Sequence, residues 1–423
     1  MTSLREIVKR TMPPSLKAKL IAARAKLAAP PLEQIVLHPY TLQPDANAKP
    51  RLTLVIPTLA PAKTFGGVAT GLDIFMAVAA HAGLTPRIVI DDFDRDVDQV
   101  LIAKCAHHYG LTPADVIVTL RTSENQPLNV GKDDLFVAYN WWTATNLAPL
   151  IAAQQKLYGG ARKPLIYLFQ EYEPAFYPMS STLLFARAPL ESDQPTWGVF
   201  NSSQIHAYFR ALGHRLEREY LFEPQLPVAL RPFIGPFGQG KQPIKERLIL
   251  IYGRPDTPRN CFPAIVQGLK LWTESDLQAT KWRIESAGVA HPPITLAGEQ
   301  KILSRGKLSL EAYAETLQRA AIGVSLMASA HPSYPPLEMA HFGARTLTNR
   351  FSNKDLSLAH DNITSLPDIA PTTIAAALSA ACAAFEAAPQ AGWTGRSHMP
   401  NYLTNGPYPF LNALTEDLKT ALA

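Results

Sequence analysis

The chain has 423 residues, 47% of them hydrophobic and 18% charged. That is less charge than the ~25% of an average globular protein, and ample apolar mass for two or three domains of ~150 residues. With 37 Pro against 23 Gly, the loops are stiff rather than collagen-like or low-complexity. The 3 Cys are far apart and form no CxxC, which argues against a disulfide framework and a Cys-based zinc site and predicts a reducing, cytoplasmic setting. No apolar run reaches the ~18 residues of a spanning helix, and no signal peptide is expected.

The net charge of +5 is concentrated at the start of the chain, where Arg5 to Lys26 supply basic groups against Glu6 alone. Leu4, Ile7, Val8, Leu16, Leu20 and Ile21 predict short amphipathic helices broken at Pro13-Pro14. One reading of residues 1–30 is peripheral contact with an anionic membrane face. The other is a solvated helix packed on the body. Nucleic acid is not an expected partner, since no aromatic-interleaved basic patch follows.

Residues 31–50 read as Pro-rich and irregular. Residues 51–57 then form an apolar run typical of a buried parallel strand. A loop ending in Gly66-Gly67 leads into a helix. Strands are predicted at 87–90, 115–118, 134–138, 164–168 and 197–200, separated by helical patterns. Alternation of this kind means an α/β domain with an open, doubly wound sheet. The Pro/Gly stretch 231–243 is the expected boundary. A second series follows, with strands near 247–252, 282–284, 294–296, 322–326 and 346–348, and helices at 264–273, 310–319 and 337–342. An Ala-rich helix is expected at 372–388, and a final helix beyond 401. The expected organisation is therefore an arm (1–50), two Rossmann-like domains (51–235 and 236–400) and a tail (401–423) packing back on the first domain. Ligands of such sheets bind at the carboxyl ends of the strands, here in a cleft between two domains.

Several groups fall at those strand ends. Gly66 and Gly67 permit close approach of a helix N-terminus to an anion. Tyr252-Gly253-Arg254-Pro255, with Arg259, offers two guanidinium groups able to clamp a diphosphate. Lys307 stands just before a helix as a further cation. In residues 325–340 a Pro-stiffened loop containing Ser333, Tyr334 and Pro335 meets a helix with Leu337 and Glu338 in its first turn. There the Glu338 carboxylate is placed to accept ribose hydroxyls, while turn N–H groups meet phosphate. Glu171 and Glu173, on one face if extended, are candidates for taking a proton or binding an acceptor hydroxyl. Trp141 and Trp142 either stack on an acceptor sugar or fill the core. The acidic run from Asp91 to Asp98 contains DxD triplets that suit a divalent cation, but reads more simply as a solvated loop. No GxGxxG, GxSxG or HExxH occurs, which disfavours a dinucleotide oxidoreductase, an α/β-hydrolase and a zincin.

Together Gly66–Thr70, Tyr252–Pro255, Gly306–Ser309, Thr348-Asn349, residues 353–357 and Ser333-Tyr334-Pro335-Pro336-Leu337-Glu338-Met339-Ala340 resemble a GT-B glycosyltransferase of the WsaF type, a rhamnosyltransferase branch related to glycosyltransferase family four. The resemblance implies transfer of a hexose, L-rhamnose from a dTDP-linked donor, to a saccharide hydroxyl of a surface glycan, with retention at the anomeric carbon. It implies a donor held by the second domain, with Glu338 on the ribose and Arg254, Lys307 and Arg259 on the diphosphate. It further implies no cofactor and no obligatory metal, and an acceptor that is lipid-linked or free. One departure stands out. The wider family carries a Glu-x7-Glu motif; Glu338 matches its second member, and Ala330 occupies the first. That departure keeps open a non-catalytic saccharide- or nucleotide-sugar-binding protein, and a sugar-nucleotide epimerase stays open because it uses the same two-domain fold without an acceptor.

Overall fold

Strands that are apolar on both faces need helices on both faces, and parallel pairing supplies them through crossover helices. The computed structural model describes residues 37–61, 63–64, 66–92, 95–234, 242–404 and 408–423. The basic arm 1–30, Asp94 and part of the expected 231–243 boundary lie outside the described residues.

The first series comprises β1 (Thr41–Pro44), β2 (Arg51–Ile56), β3 (Thr85–Ile90), β4 (Ile117–Leu120), β5 (Pro127–Val130), β6 (Leu135–Ala138), β7 (Leu165–Phe169), β8 (Thr196–Asn201) and β9 (Arg218–Phe222). All but β1 and β5 form a parallel sheet in the order β4-β3-β2-β6-β7-β8-β9. β1 and β5 pair separately, also in parallel, so residues 31–50 are not wholly irregular. The helices are α1 (Gly66–Ala82), α2 (Gln99–His108), α3 (Trp141–Tyr158), α4 (Ser181–Arg187) and α5 (Ser203–Ala211). The strand expected at 115 begins only at Ile117, because Thr112 and Asp115 close a capping box around a 3-10 turn.

The second series comprises β10 (Glu246–Gly253), β11 (Arg283–Gly288), β12 (Ile294–Thr295), β13 (Lys301–Gly306), β14 (Ala320–Val324), β15 (Arg345–Asn349) and β16 (Ile363–Leu366). Their order is β12-β13-β11-β10-β14-β15-β16, with β12 alone antiparallel. Its helices are α6 (Phe262–Ser275), α7 (Leu310–Arg319), α8 (Tyr334–His341) and α9 (Pro371–Ala387). The last helix, α10 (Leu411–Leu422), returns to the first unit. Leu414 and Leu418 are fully buried in the apolar cluster that includes Leu72 and Phe75 of α1. Tyr408 reinforces this return by donating to Asp73 at 2.6 Å.

In each sheet the winding reverses once, between β2 and β6 in the first and between β10 and β14 in the second. These reversal points leave crevices outside the carboxyl ends of the strands, where ligands of such folds bind. No helix among the described residues is long and apolar enough to cross a membrane.

Candidate functional site between the two sheets

The two crevices face each other, because loops from both strand ends touch. Lys307, between β13 and α7, places Nζ 3.0 Å from Pro61 O and 3.4 Å from Thr64 O, in the loop leading to α1. Tyr334, the first residue of α8, accepts from Asn201 Nδ2 at 3.0 Å and lies 3.4 Å from Thr70 Oγ1 on α1. Ser329 Oγ donates to Glu171. Asn353 donates to Gln204 O at 2.9 Å.

The start of α1 offers Gly66 and Gly67 to this junction. A Cβ on Gly66 would meet nothing within 4 Å, so open space lies there. A Cβ on Gly67 would come 3.3 Å from Tyr139 Oη, a crowded approach. Across the cleft Gly253 ends β10, where a Cβ would lie 1.8 Å from Ser286 Oγ. Glycine at 253 is thus demanded by packing on β11, and Tyr252 and Arg254 leave the strand on either side of it, both half-buried.

Arg259 lies in the turn after β10 and reaches the other unit. Its guanidinium lies 4.2 Å from the centroid of Phe176 in the first unit, a cation–π contact. It therefore bridges toward the Glu171–Tyr177 segment of the first unit. Nearby backbone is strained: Cys261 and Ser333 have φ of 51° and 66°, a region that favours glycine.

α8 begins at Tyr334 and not at Leu337, which corrects the expected placement of Glu338. The carboxylate sits in the second turn, and the first turn contains Pro335 and Pro336, neither of which has an N–H to give to phosphate. Glu338 is 6% exposed and accepts from Tyr313 Oη at 2.7 Å. Burial pushes its pKa up to about 7, with the Tyr313 bond opposing. The start of α1, by contrast, carries no proline in its first turn.

Glu171 and Glu173 do not share a face, because Glu173–Phe176 forms a 3-10 turn. Glu173 Oε2 accepts from Trp141 N at 2.7 Å and from Tyr167 Oη at 2.5 Å, so it caps α3. Glu171 points to Ser329 of the second unit, and burial raises its pKa to about 7. Lys354, 1% exposed, donates to Met327 O at 2.8 Å, and burial lowers its pKa to about 8 against the opposing charge of Glu171.

Trp141 is corrected to a core residue. It is fully buried, and its Nε1 donates to Tyr177 Oη at 3.0 Å, which leaves no face for a sugar. Trp142 is half-buried and keeps its candidacy for the acceptor side. The acidic loop after β3 is partly spent on structure. Asp91 is buried against Arg121 at 3.1 Å and Asn146 at 3.1 Å, and Asp98 caps α2 through Leu101 N at 2.9 Å.

With this geometry in view, family models for the WsaF N-terminal and C-terminal domains match residues 51–203 and 247–379, together more than half of the chain. The chain belongs to the WsaF-type GT-B glycosyltransferases. The O-antigen biosynthesis protein RfbC of Myxococcus xanthus is 26% identical to this glycosyltransferase over 212 residues, which is 50% of this chain but only 16% of that protein. The trehalose 6-phosphate synthase of Burkholderia multivorans superimposes with a TM-score of 0.55 at 11% identity, covering 88% of this chain and 97% of that one. WaaG, a glycosyltransferase involved in lipopolysaccharide biosynthesis, does so at 0.50 and 14% identity, covering 87% and 99%. At such identities these structures speak for the GT-B fold alone.

Of the residues that sequence reasoning singled out, Lys307 and Glu171 make contacts between the two units, while Arg254 follows β10 and Glu338 bonds Tyr313 within its own unit. Sequence reasoning took in Ser329, His331 and Lys354 only as parts of longer segments and gave them no role of their own, since their contacts depend on burial and on partners far away in sequence.

Proposed function

We propose that this glycosyltransferase moves L-rhamnose from a dTDP-linked donor to a saccharide hydroxyl during assembly of a surface polysaccharide. The observation that carries the reading is the Lys307 ammonium resting on the Pro61 and Thr64 carbonyls beside the start of α1. A cation from one unit and a helix N-terminus from the other thereby meet at open space. A diphosphate between them exchanges neutral carbonyl contacts for charge-assisted bonds. The name of RfbC, an O-antigen biosynthesis protein, supports the setting.

Rupture of the sugar C1–O bond leaves negative charge on the diphosphate, and the transition state is oxocarbenium-like. In this reading Arg254 and Lys307 stabilise that charge electrostatically. Glu338, once ionised, accepts the ribose hydroxyls. The acceptor oxygen bonds to C1 and its proton goes to a carboxylate near neutrality. Glu171 is the candidate, after release from Ser329. Trp142 lies on the acceptor side. Fixed cations take the role that a metal plays elsewhere, so no cofactor or metal enters the scheme. A lipid-linked acceptor and membrane contact by residues 1–30 belong to the same proposal.

The test is a panel of nucleotide-sugars read by thermal unfolding. dTDP-L-rhamnose at about one hundred times its Kd should add about 2.7 kcal/mol of stability, with UDP-glucose far less effective. An equal response to UDP-glucose sinks the donor assignment. Turnover should survive EDTA; activity lost to EDTA and restored by Mg²⁺ returns the acidic loop after β3 to the site.

A further inference from the structure

The loop between β14 and α8 is wound on its own side chains. Ser329 Oγ, which donates to Glu171, accepts from His331 N at 2.9 Å. His331 Nδ1 in turn accepts from Ser333 N at 2.9 Å, where Ser333 has its strained φ. That bond makes Nδ1 the bare nitrogen, so Nε2 carries the proton of the neutral ring. Burial, aided by the positive charges of Lys354 and Arg259, holds the imidazole neutral by lowering its pKa to about 3. The side chain is 5% exposed, and Nε2 has no hydrogen-bond partner among the described residues. Arg259 Nε and Ser325 Oγ, on the same pair of loops at the β10–β14 crevice, are also buried without partners. The Arg259 and β14 loops are stitched together by Ala328 N donating to Arg259 O at 2.7 Å. Buried donors left unmet cost about 1–3 kcal/mol each, so a cluster of them at a crevice marks where a polar ligand completes the set.

Ala330, next to His331, is 1% exposed and packs into the apolar cluster of the first unit that includes Phe169 and Trp141. A carboxylate at that position would be buried among apolar groups, beside the loop that bonds Glu171, and like charges there disfavour ionisation. The acceptor group of the Glu-x7-Glu motif thus has no place here, whereas a neutral N–H does. We infer that His331 Nε2–H donates to a hydroxyl of the donor's sugar, which makes His331 a specificity-determining residue of this transferase. The inference rests on the donor-site reading above, and it reverses the polarity of the contact: the protein donates and the sugar oxygen accepts. The diphosphate is served by Lys307 and Arg254, which leaves the neutral donor to the sugar.

Two substitutions separate this role from a merely structural one. In His331→Asn the amide oxygen can stand in for Nδ1 and keep the Ser333 bond, but nothing reaches the Nε2 position. In His331→Gln the amide N–H reaches toward Nε2, but the Ser333 bond is lost. Binding of dTDP-L-rhamnose and of dTDP alone is measured by titration calorimetry for wild type and both variants. His331→Asn should bind dTDP-L-rhamnose about tenfold more weakly with dTDP affinity unchanged, and His331→Gln should recover most of the loss. A wild-type-like Asn variant beside a defective Gln variant overturns the inference, since His331 is then a strut for the loop. Equal weakening toward dTDP and the nucleotide-sugar overturns it as well, because the contact is then not to sugar. Wild-type protein that binds neither compound removes the donor reading itself.

Discussion

The two sheets are wound alike and bring opposite chemistry to the cleft. The first contributes the start of α1 and the Glu171 carboxylate; the second contributes Arg254, Lys307 and the buried Lys354, with Glu338 set apart behind them. Both carboxylates are pushed by burial to a pKa of about 7, yet their partners differ. Glu338 is held by Tyr313 of its own unit, whereas Glu171 is held by Ser329 of the other. The ionisation of Glu171 is therefore tied to how the two units meet, and the hydrogen bond that acts on Glu338 comes from its own unit. If the proposed function holds, the start of α1 and the second unit's cations meet the anion together, and the proton falls to Glu171 at the seam.

The sharpest way to break this division is Arg254→Ala. If the second unit carries the developing charge, turnover should fall at least ~10²-fold while the thermal unfolding midpoint stays near that of wild type. Steady-state rates beside an unfolding curve decide it. Near-normal turnover in a folded variant shows that the leaving-group charge is met elsewhere.

How far such residues could be found beforehand depended on burial. Strands such as β2, β7 and β10 are continuous apolar runs and were legible. β9, β13 and β16 interleave charged or hydroxylated residues near sheet edges and were missed. Lys307 and Arg254 drew notice as polar residues just beyond the carboxyl ends of parallel strands, and Glu338 as a carboxylate early in a helix. The start of α8 was misplaced because Pro335-Pro336 reads as a loop, although proline is harmless in a first helical turn. Trp141 was misdirected for a different reason. Its core packing, like the reach of Arg259 toward Phe176, depends on contacts between distant segments, which no local spacing encodes.

A second test concerns Glu171 and the coupling between the units. The folded pKa of Glu171 lies above the ordinary value of 4.5. The protonated form is thus favoured in the folded state, and its contribution is fully present below pH 4.5 and lost as pH rises through about 7. Glu171→Gln has no such proton to lose. From pH 4.5 to 7.5 the variant should therefore gain stability relative to wild type, by up to about 3 kcal/mol at ~1.4 kcal/mol per pKa unit. Chemical denaturation at several pH values measures the difference, in which the opposing slopes of the buried histidines cancel. A difference that is flat with pH places Glu171 in contact with water, and the distinction from Glu338 collapses.

The smallest expected effect tests the other carboxylate. The Tyr313 hydroxyl favours the ionised form of Glu338, so Tyr313→Phe should raise the Glu338 pKa further above 7. If ionised Glu338 accepts ribose hydroxyls, donor affinity strengthens as pH rises through about 7 in wild type. In the variant the same rise should be displaced upward by about one pH unit or less, with affinities converging at high pH. Glu171 lies on the other unit and bonds a different partner, so its own pH-dependent stability should stay where it was. A variant that shifts both profiles together would show that the two carboxylates titrate as one coupled set, and the donor side could then no longer be treated apart from the junction of the units.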